Sequence, residues 1–228
     1  MSIELQKQFA ANGYITIENL FSLEEVQELK KEVARVLDAV RKEKGEEGIK
    51  HGVYVGMAAA SALFKTAAAK PELANVLKTI IGEQVIFLSD KVVFKNSTVE
   101  FGSPWHQDYP YWGGSHKFSV WIALDDASRE NGCLRILPGS HLKGTLHHGE
   151  EHNDDNGFSS RLKEEEIDQS SIIDLPAARG TAIIFHDLLF HSSYPNLSGQ
   201  DRVALISTYK DGSQEDPDFA WAKAAFAI

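Results

Sequence analysis

Six residues in the middle of the chain, Trp105–Pro110 (WHQDYP), carry an imidazole and a carboxylate separated by a single glutamine. On a β-strand, residues i and i+2 point to the same face. His106 and Asp108 would then reach one point in space, as two of the three ligands a metal site needs. Two candidates for a third lie in FHDLLFHSSYPNLSGQDR (185–202): His186 and His191. Spacing alone does not choose between them. Two histidines and one carboxylate that leave other positions open form the facial arrangement of non-haem Fe(II) oxygenases. The open positions would serve a co-substrate and O2. Arg202 stands eleven residues beyond His191 and opens the run RVALISTYK. If the turn YPNLSGQD folds this run back beside His191, the guanidinium points into the same interior. A buried guanidinium is costly unless a carboxylate meets it, and arginine grips planar carboxylates through two parallel hydrogen bonds. Iron beside a carboxylate anchor suggests a bidentate 2-oxo acid. The plainer alternatives are a His-x-Asp on a solvated strand and an Arg202 paired to Asp201 or Asp187 at a rim.

The rest of the sequence must build the frame. Ser22 followed by Glu25 is a capping box, and Phe21 with Val26 is placed as a hydrophobic staple. Val26, Leu29, Val33, Val36, Leu37 and Val40 then form one apolar helical stripe. GYITIENLF (13–21) alternates like a short strand. KPELANVLKTIIG (70–82) reads as a helix with Pro71 at its start and Gly82 at its stop, and the Ala-rich stretch 56–70 as helical. From Gln84 the period changes to 2. QVIFLSDKVVFK, KFSVWIALDD, GCLRILPG, SSIIDLP, GTAIIFHD and RVALISTYK are short runs punctuated by Gly, Pro, Asn and Asp. They predict an antiparallel barrel or jelly roll with the helices against one face. The expected organisation is one domain over residues 1–228, with a helical part at 1–82 and a β core at 83–228. Residues 143–169 are long, polar and acidic, as expected of a mobile active-site lid. Their His147, His148 and His152 sit among Glu150, Glu151, Asp154 and Asp155, which reads as a solvated loop more readily than as a metal patch.

At 228 residues the chain can bury one sizeable core. Its composition, 43% hydrophobic and 25% charged, is that of a soluble globular protein. A formal net charge of -10 argues against nucleic-acid and anionic-membrane partners. The lone Cys133 excludes an intrachain disulfide. With no apolar run for a signal or membrane span, the expected location is cytoplasmic. Oligomeric state leaves no trace in the sequence.

PWHQDYPYW, VWIALDDASRENGCLRILPGSH and GTAIIFHDLLFHSSYPNLSGQDR, with the opening FAANGYITIENLFSLEEVQELKKEV, resemble the phytanoyl-CoA dioxygenase family over nearly the whole chain. The resemblance implies a double-stranded β-helix (jelly roll), mainly β with N-terminal helices. It implies an Fe(II)- and 2-oxoglutarate-dependent oxygenase that consumes O2 and releases succinate and CO2 while hydroxylating a small molecule. It resolves the histidines: the family's distal ligand is followed by a small residue, a serine and, about eleven residues on, an arginine. That matches His191, Ser193 and Arg202, so His106, Asp108 and His191 would hold the iron. Arg202 and Ser193 would hold the distal carboxylate of 2-oxoglutarate. Trp121 would line that pocket, with Lys91 at another of its positions. Retention of Asp108 favours hydroxylation over halogenation, and His141 falls in a structural turn. Tyr109 and Trp112, next to the ligand segment, are expected on the substrate side. A non-catalytic binding module, or a metalloenzyme that does not use 2-oxoglutarate, are the competing readings.

Overall fold

A computed structural model of the chain describes residues 2–45, 48–49, 52–146 and 158–228. In chain order the elements are α1 (Ser2–Asn12), β1 (Tyr14–Ile17), α2 (Leu23–Lys44), β2 (Val53–Val55), α3 (Met57–Ala60), α4 (Ala62–Ala68), α5 (Pro71–Ile81) and β3 (Val85–Lys95). After them come α6 (Tyr109–Trp112), β4 (Lys117–Ala123), β5 (Leu134–Ile136), β6 (Ile173–Leu175), β7 (Ala182–His186), β8 (His191–Ser193), β9 (Arg202–Asp211) and β10 (Phe226–Ala227).

The strands form two antiparallel sheets facing each other. The large sheet runs β1-β7-β4-β9-β3-β10, with β2 also paired to β3, and the small sheet runs β6-β5-β8. This is a jelly roll of two sheets and not a closed barrel. β4 is buried along its whole length, because both faces of the large sheet are covered. Phe118, Val120 and Ile122 join the core shared with the helices, while Trp121 and Ala123 face the interior between the sheets. The same alternation on β9 sends Leu205 and Tyr209 to the helices and Ala204 and Ile206 to the interior.

The helices cover the outer face as their stripes require. Ser22 and Glu25 make the full capping box, and the six stripe residues of α2 are all buried. Each such side chain stabilises the packing by about 1.5–3 kcal/mol. The Ala-rich stretch is two helices, because Ser61 is extended and caps α4 through Leu63 N–H. α1, β2, β8 and β10 were not anticipated from the sequence. Among the described residues no helix is long and apolar enough to cross a membrane.

Candidate active site

The ligand segment is not a strand. His106 makes one antiparallel bridge with His191, through His106 N–H to His191 O at 3.0 Å and His191 N–H to His106 O at 3.1 Å. Asp108 already has helical backbone angles and opens the single turn α6. The alternation argument for His106 and Asp108 therefore fails as geometry. A turn, and not a shared strand face, brings them together. Gln107 is buried and donates to Gly144 O and Leu188 O, at 2.9 and 2.8 Å.

The two imidazoles lie 4.1 Å apart between ring centroids. His106 Nδ1–H donates to Pro104 O and His191 Nδ1–H to Leu189 O, both at 2.8 Å. Those bonds leave each Nε2 as the free acceptor. Both Nε2 atoms stand 3.7 Å from Asp108 Oδ1, while Oδ2 accepts from Ser119 Oγ at 2.9 Å. Burial, with His191 beside it, lowers His106 to about 3, so the ring is neutral and its lone pair available. Burial alone would raise Asp108, but His191, His106, Lys91 and Ser119 together bring it below the usual carboxylate value. His186, the other candidate, is not part of this group. It ends β7 and meets His116 and Asp187.

His116, His186 and Asp187 form a second group at ligating distance, and its carboxylate is already engaged by hydrogen bonds. Asp187, fully buried, accepts from Lys117 N–H at 2.8 Å, His116 Nδ1 at 2.9 Å and Trp112 Nε1 at 3.3 Å. Its carbonyl accepts from Asp108 N–H at 2.8 Å and Tyr109 N–H at 3.1 Å. Asp187 thus ties the end of β7 to the turn that aims Asp108. Asp187→Ala leaves the buried Lys117 N–H unpaired and is expected to destabilise the protein by about 2–4 kcal/mol, while the carbonyl bonds to Asp108 and Tyr109 N–H survive and metal affinity should change little. Urea unfolding and metal competition check both. Unchanged stability would show that the Asp187 carboxylate does not hold the start of β4.

His141 donates through Nε2 to Ala10 O at 3.2 Å and sits against Gly13. A Cβ on Gly13 would come within 2.5 Å of His141 Nδ1, so the positive φ and the bare Cα are both used. The histidine joins α1 to the PGSH turn, with its ring 5.5 Å from that of His186, and does not line the cavity that holds His106 and His191.

One cavity of about 800 Å3 contains His106, Asp108, His191, Trp121, Ser193, Arg202, Lys91 and Trp112. Arg202 is 1% exposed and lies over the Trp121 ring at 5.8 Å. Its one hydrogen bond is Nη2–H to Gly132 O at 3.0 Å; Nε and Nη1 have none. No pairing to Asp187 or Asp201 occurs. β8 and β9 lie in opposite sheets, so Arg202 faces Ser193 across the interior instead of lying beside it on one sheet.

Three participants carried no signal that singled them out. Lys95, opposite Arg202 in the β3–β9 register, is buried and donates to Ser193 Oγ at 2.8 Å and Tyr194 O at 2.6 Å. Gly132, in the turn before β5, supplies the carbonyl for Arg202. Its φ is +102°, and a Cβ would meet Tyr194 O at 2.8 Å and Lys95 Cδ at 2.9 Å. Trp221, from the segment after β9, lines the cavity 6.1 Å from Trp112. Tyr109 does not face the cavity. Its hydroxyl donates to Gly114 O at 3.2 Å, and Tyr111, two residues on, takes the place expected for it. His147, His148 and His152, with most of the proposed lid, lie outside the described residues. The described flank at 158–169 packs on the site, with Phe158 4.8 Å from the His106 ring.

The family model for phytanoyl-CoA dioxygenase (PhyH) matches residues 9–204, which include every group above except Trp221. The chain belongs to the phytanoyl-CoA dioxygenase family. Among curated members, L-proline trans-4-hydroxylase of Streptomyces griseoviridis is 31% identical over 61% of this chain and 59% of its own length. A phytanoyl-CoA dioxygenase domain-containing protein 1 homolog of Caenorhabditis elegans is 23% identical over 88% of both chains. The solved structure of EctD from S. alaskensis with 2-oxoglutarate and 5-hydroxyectoine superposes with a TM-score of 0.78 at 22% identity, over 95% of this chain and 78% of that one. That similarity speaks to the fold, and the fold of this family member is accordingly the jelly roll expected.

Proposed function

We propose that the protein is an Fe(II)- and 2-oxoglutarate-dependent oxygenase that hydroxylates a C–H bond of a small molecule. The observation that carries this reading is the buried Arg202 guanidinium with two unpartnered nitrogens, in one cavity with the His106–Asp108–His191 group. Nothing in a site that binds only a metal requires such a cation, and a second acid removes its cost. The relatives named L-proline trans-4-hydroxylase and "Probable alpha-ketoglutarate-dependent hypophosphite dioxygenase" support the reaction class.

The donor set fits Fe(II): two imidazoles and one carboxylate, each held from behind by a hydrogen bond. When bound, the metal with 2-oxoglutarate supplies O2 activation. The protein residues position and shield. His106, Asp108 and His191 would hold the metal and leave positions open. Arg202 would receive the distal carboxylate of 2-oxoglutarate, with Trp121 against its carbon chain. Ser193 Oγ accepts from Lys95 Nζ and Ser103 N–H, so its own hydrogen is left for Ser103 Oγ or a ligand. Phe158, Tyr111 and Trp112 would exclude water on the substrate side.

Lys95 gives this reading a pH signature. Burial and the nearby Arg202 lower its ammonium to about 6 in the ligand-free protein. A carboxylate beside it favours the ammonium, so binding 2-oxoglutarate takes up a proton. Affinity is expected to fall as pH rises from 6 to about 8, and Lys95→Met to abolish that slope. Calorimetry in buffers of differing ionisation enthalpy measures the uptake; a pH-independent wild type would contradict it.

The reading itself is tested without a substrate. Fe(II) and then 2-oxoglutarate are added to metal-free protein without oxygen, and the visible charge-transfer band of a chelated 2-oxo acid is sought. A band weakened by Asp108→Ala and by Arg202→Met is expected. Its absence in folded wild type would shift the assignment to a binding module or a metalloenzyme independent of 2-oxoglutarate.

A further inference from the structure

The inner face of β3 carries two lysines in opposite situations. Lys95 is buried opposite Arg202; Lys91 is exposed and stands opposite Ile206. They stand four positions apart, about 13 Å along a strand, so their side chains leave β3 at different depths of the cavity. Lys91, exposed, lines the same cavity as His106 and Asp108 and pairs with Val55 of β2, so it lies toward the cavity mouth. Among the described residues Lys91 has no hydrogen bond or ion pair. The carboxylate next to it in sequence is already used: both oxygens of Asp90 accept from Ala58 N–H, at 2.9 and 3.0 Å.

Charge balance sharpens the point. In the loaded site the dication is matched by the diacid, and Asp108 by Arg202. Lys91 is left as uncompensated positive charge at the mouth, and a protonated Lys95 adds to it. The cavity that Lys91 lines also has Tyr111, Trp112, Phe158 and Trp221 in its wall. Trp221 comes from beyond the residues the family model matches. Its segment is pinned by Asp216, which accepts from Lys117 Nζ at 2.9 Å, Lys210 Nζ at 2.7 Å and Ser115 N–H at 2.7 Å. Phe219 stacks on Trp221 at 5.0 Å and receives the Lys117 ammonium on its face at 4.6 Å. This wall is therefore built in, and is not a loose tail.

We infer that the substrate is a small amphipathic organic anion, whose charged group pairs with Lys91 and whose carbon skeleton lies against Trp112 and Trp221. The inference rests on the oxygenase reading for the location of the reacting bond, and gives Lys91 to the substrate instead of to 2-oxoglutarate. Aromatic faces hold the apolar body, and one directed cation selects the charge.

The test uses a chain-length series of alkanoic and arylalkanoic acids with their primary amides as uncharged isosteres. Binding is read from tryptophan fluorescence without metal, and from displacement of the charge-transfer band in the anaerobic Fe(II)/2-oxoglutarate protein. Wild type should bind the best acid about tenfold or more tightly than its amide. Lys91→Met should erase that difference and leave the 2-oxoglutarate band and its half-saturation unchanged. Trp221→Ala should weaken acid and amide alike. Equal binding of acid and amide by wild type, or no response to any acid, overturns the inference. So does a Lys91→Met protein whose 2-oxoglutarate band is weakened, which would make Lys91 a co-substrate residue. A wild type that binds the acids by fluorescence yet forms no band would instead count against the oxygenase reading alone.

Discussion

An Arg202→Met protein is expected to be more stable than wild type when ligand-free, yet to bind 2-oxoglutarate about a hundredfold more weakly or worse. The two effects share one cause. In the ligand-free fold the guanidinium is 1% exposed, with Nε and Nη1 unpartnered and a single bond to Gly132 O. Burial disfavours its charged form enough to lower even an arginine, to about 10. Methionine fills similar space against Trp121 without that cost, so unfolding should require about 1–3 kcal/mol more. A carboxylate arriving at Arg202 would gain two parallel charge-assisted bonds in a dry setting, and methionine forfeits both. Arg202→Lys should restore little, because an ammonium is a point donor without the planar fork. Urea unfolding of the metal-free protein and anaerobic titration of the band read the two sides separately. A variant that loses stability and keeps its 2-oxoglutarate affinity would show Arg202 to be a structural residue.

Asp108→Ala is expected to weaken Fe(II) binding about a hundredfold or more with little change in the ligand-free fold. Its backbone N–H bond to Asp187 O survives the substitution, as does the His106–His191 bridge. The loss therefore falls on the site and not on the turn. Ser119→Ala, which removes only the donor 2.9 Å from Asp108 Oδ2, should cost about tenfold. Competition against a chromogenic chelator measures both. If Asp108→Ala retains wild-type affinity, the ligand group has to be sought elsewhere, with His116, His186 and Asp187 as the next set to test.

Local signals carried the frame well where they were local in origin. The Ser22–Glu25 box and the α2 stripe depend on residues three and four apart, and both stand in the structure. The six β-type runs all became strands because period-2 alternation is a property of the run itself. β8 was invisible for the complementary reason: His191–Ser193 is three polar residues, a strand only because β5 pairs with it. β2 and β10 likewise exist as partners of β3. The expectation of a ligand strand failed because Asp108 turns into α6 after a single bridge. A tyrosine at 109 and one at 111 cannot be told apart by composition, and the turn of α6 alone selects Tyr111 for the cavity.

From sequence alone came the kinds of group available: two imidazoles, a carboxylate and an arginine at a spacing shared with one family, on a chain patterned for helices followed by antiparallel strands. Those are matters of residue type and short-range order, which sequence states directly. What tertiary structure decided is which groups face one another. Lys95 meets Ser193, ninety-eight residues away, because the two sheets close over a common interior. Gly132 reaches Arg202 for the same reason, and Trp221 enters the cavity wall because Asp216 is drawn to two lysines on β4 and β9. Register between strands distant in sequence is set by packing the whole core at once, so no local pattern encodes it.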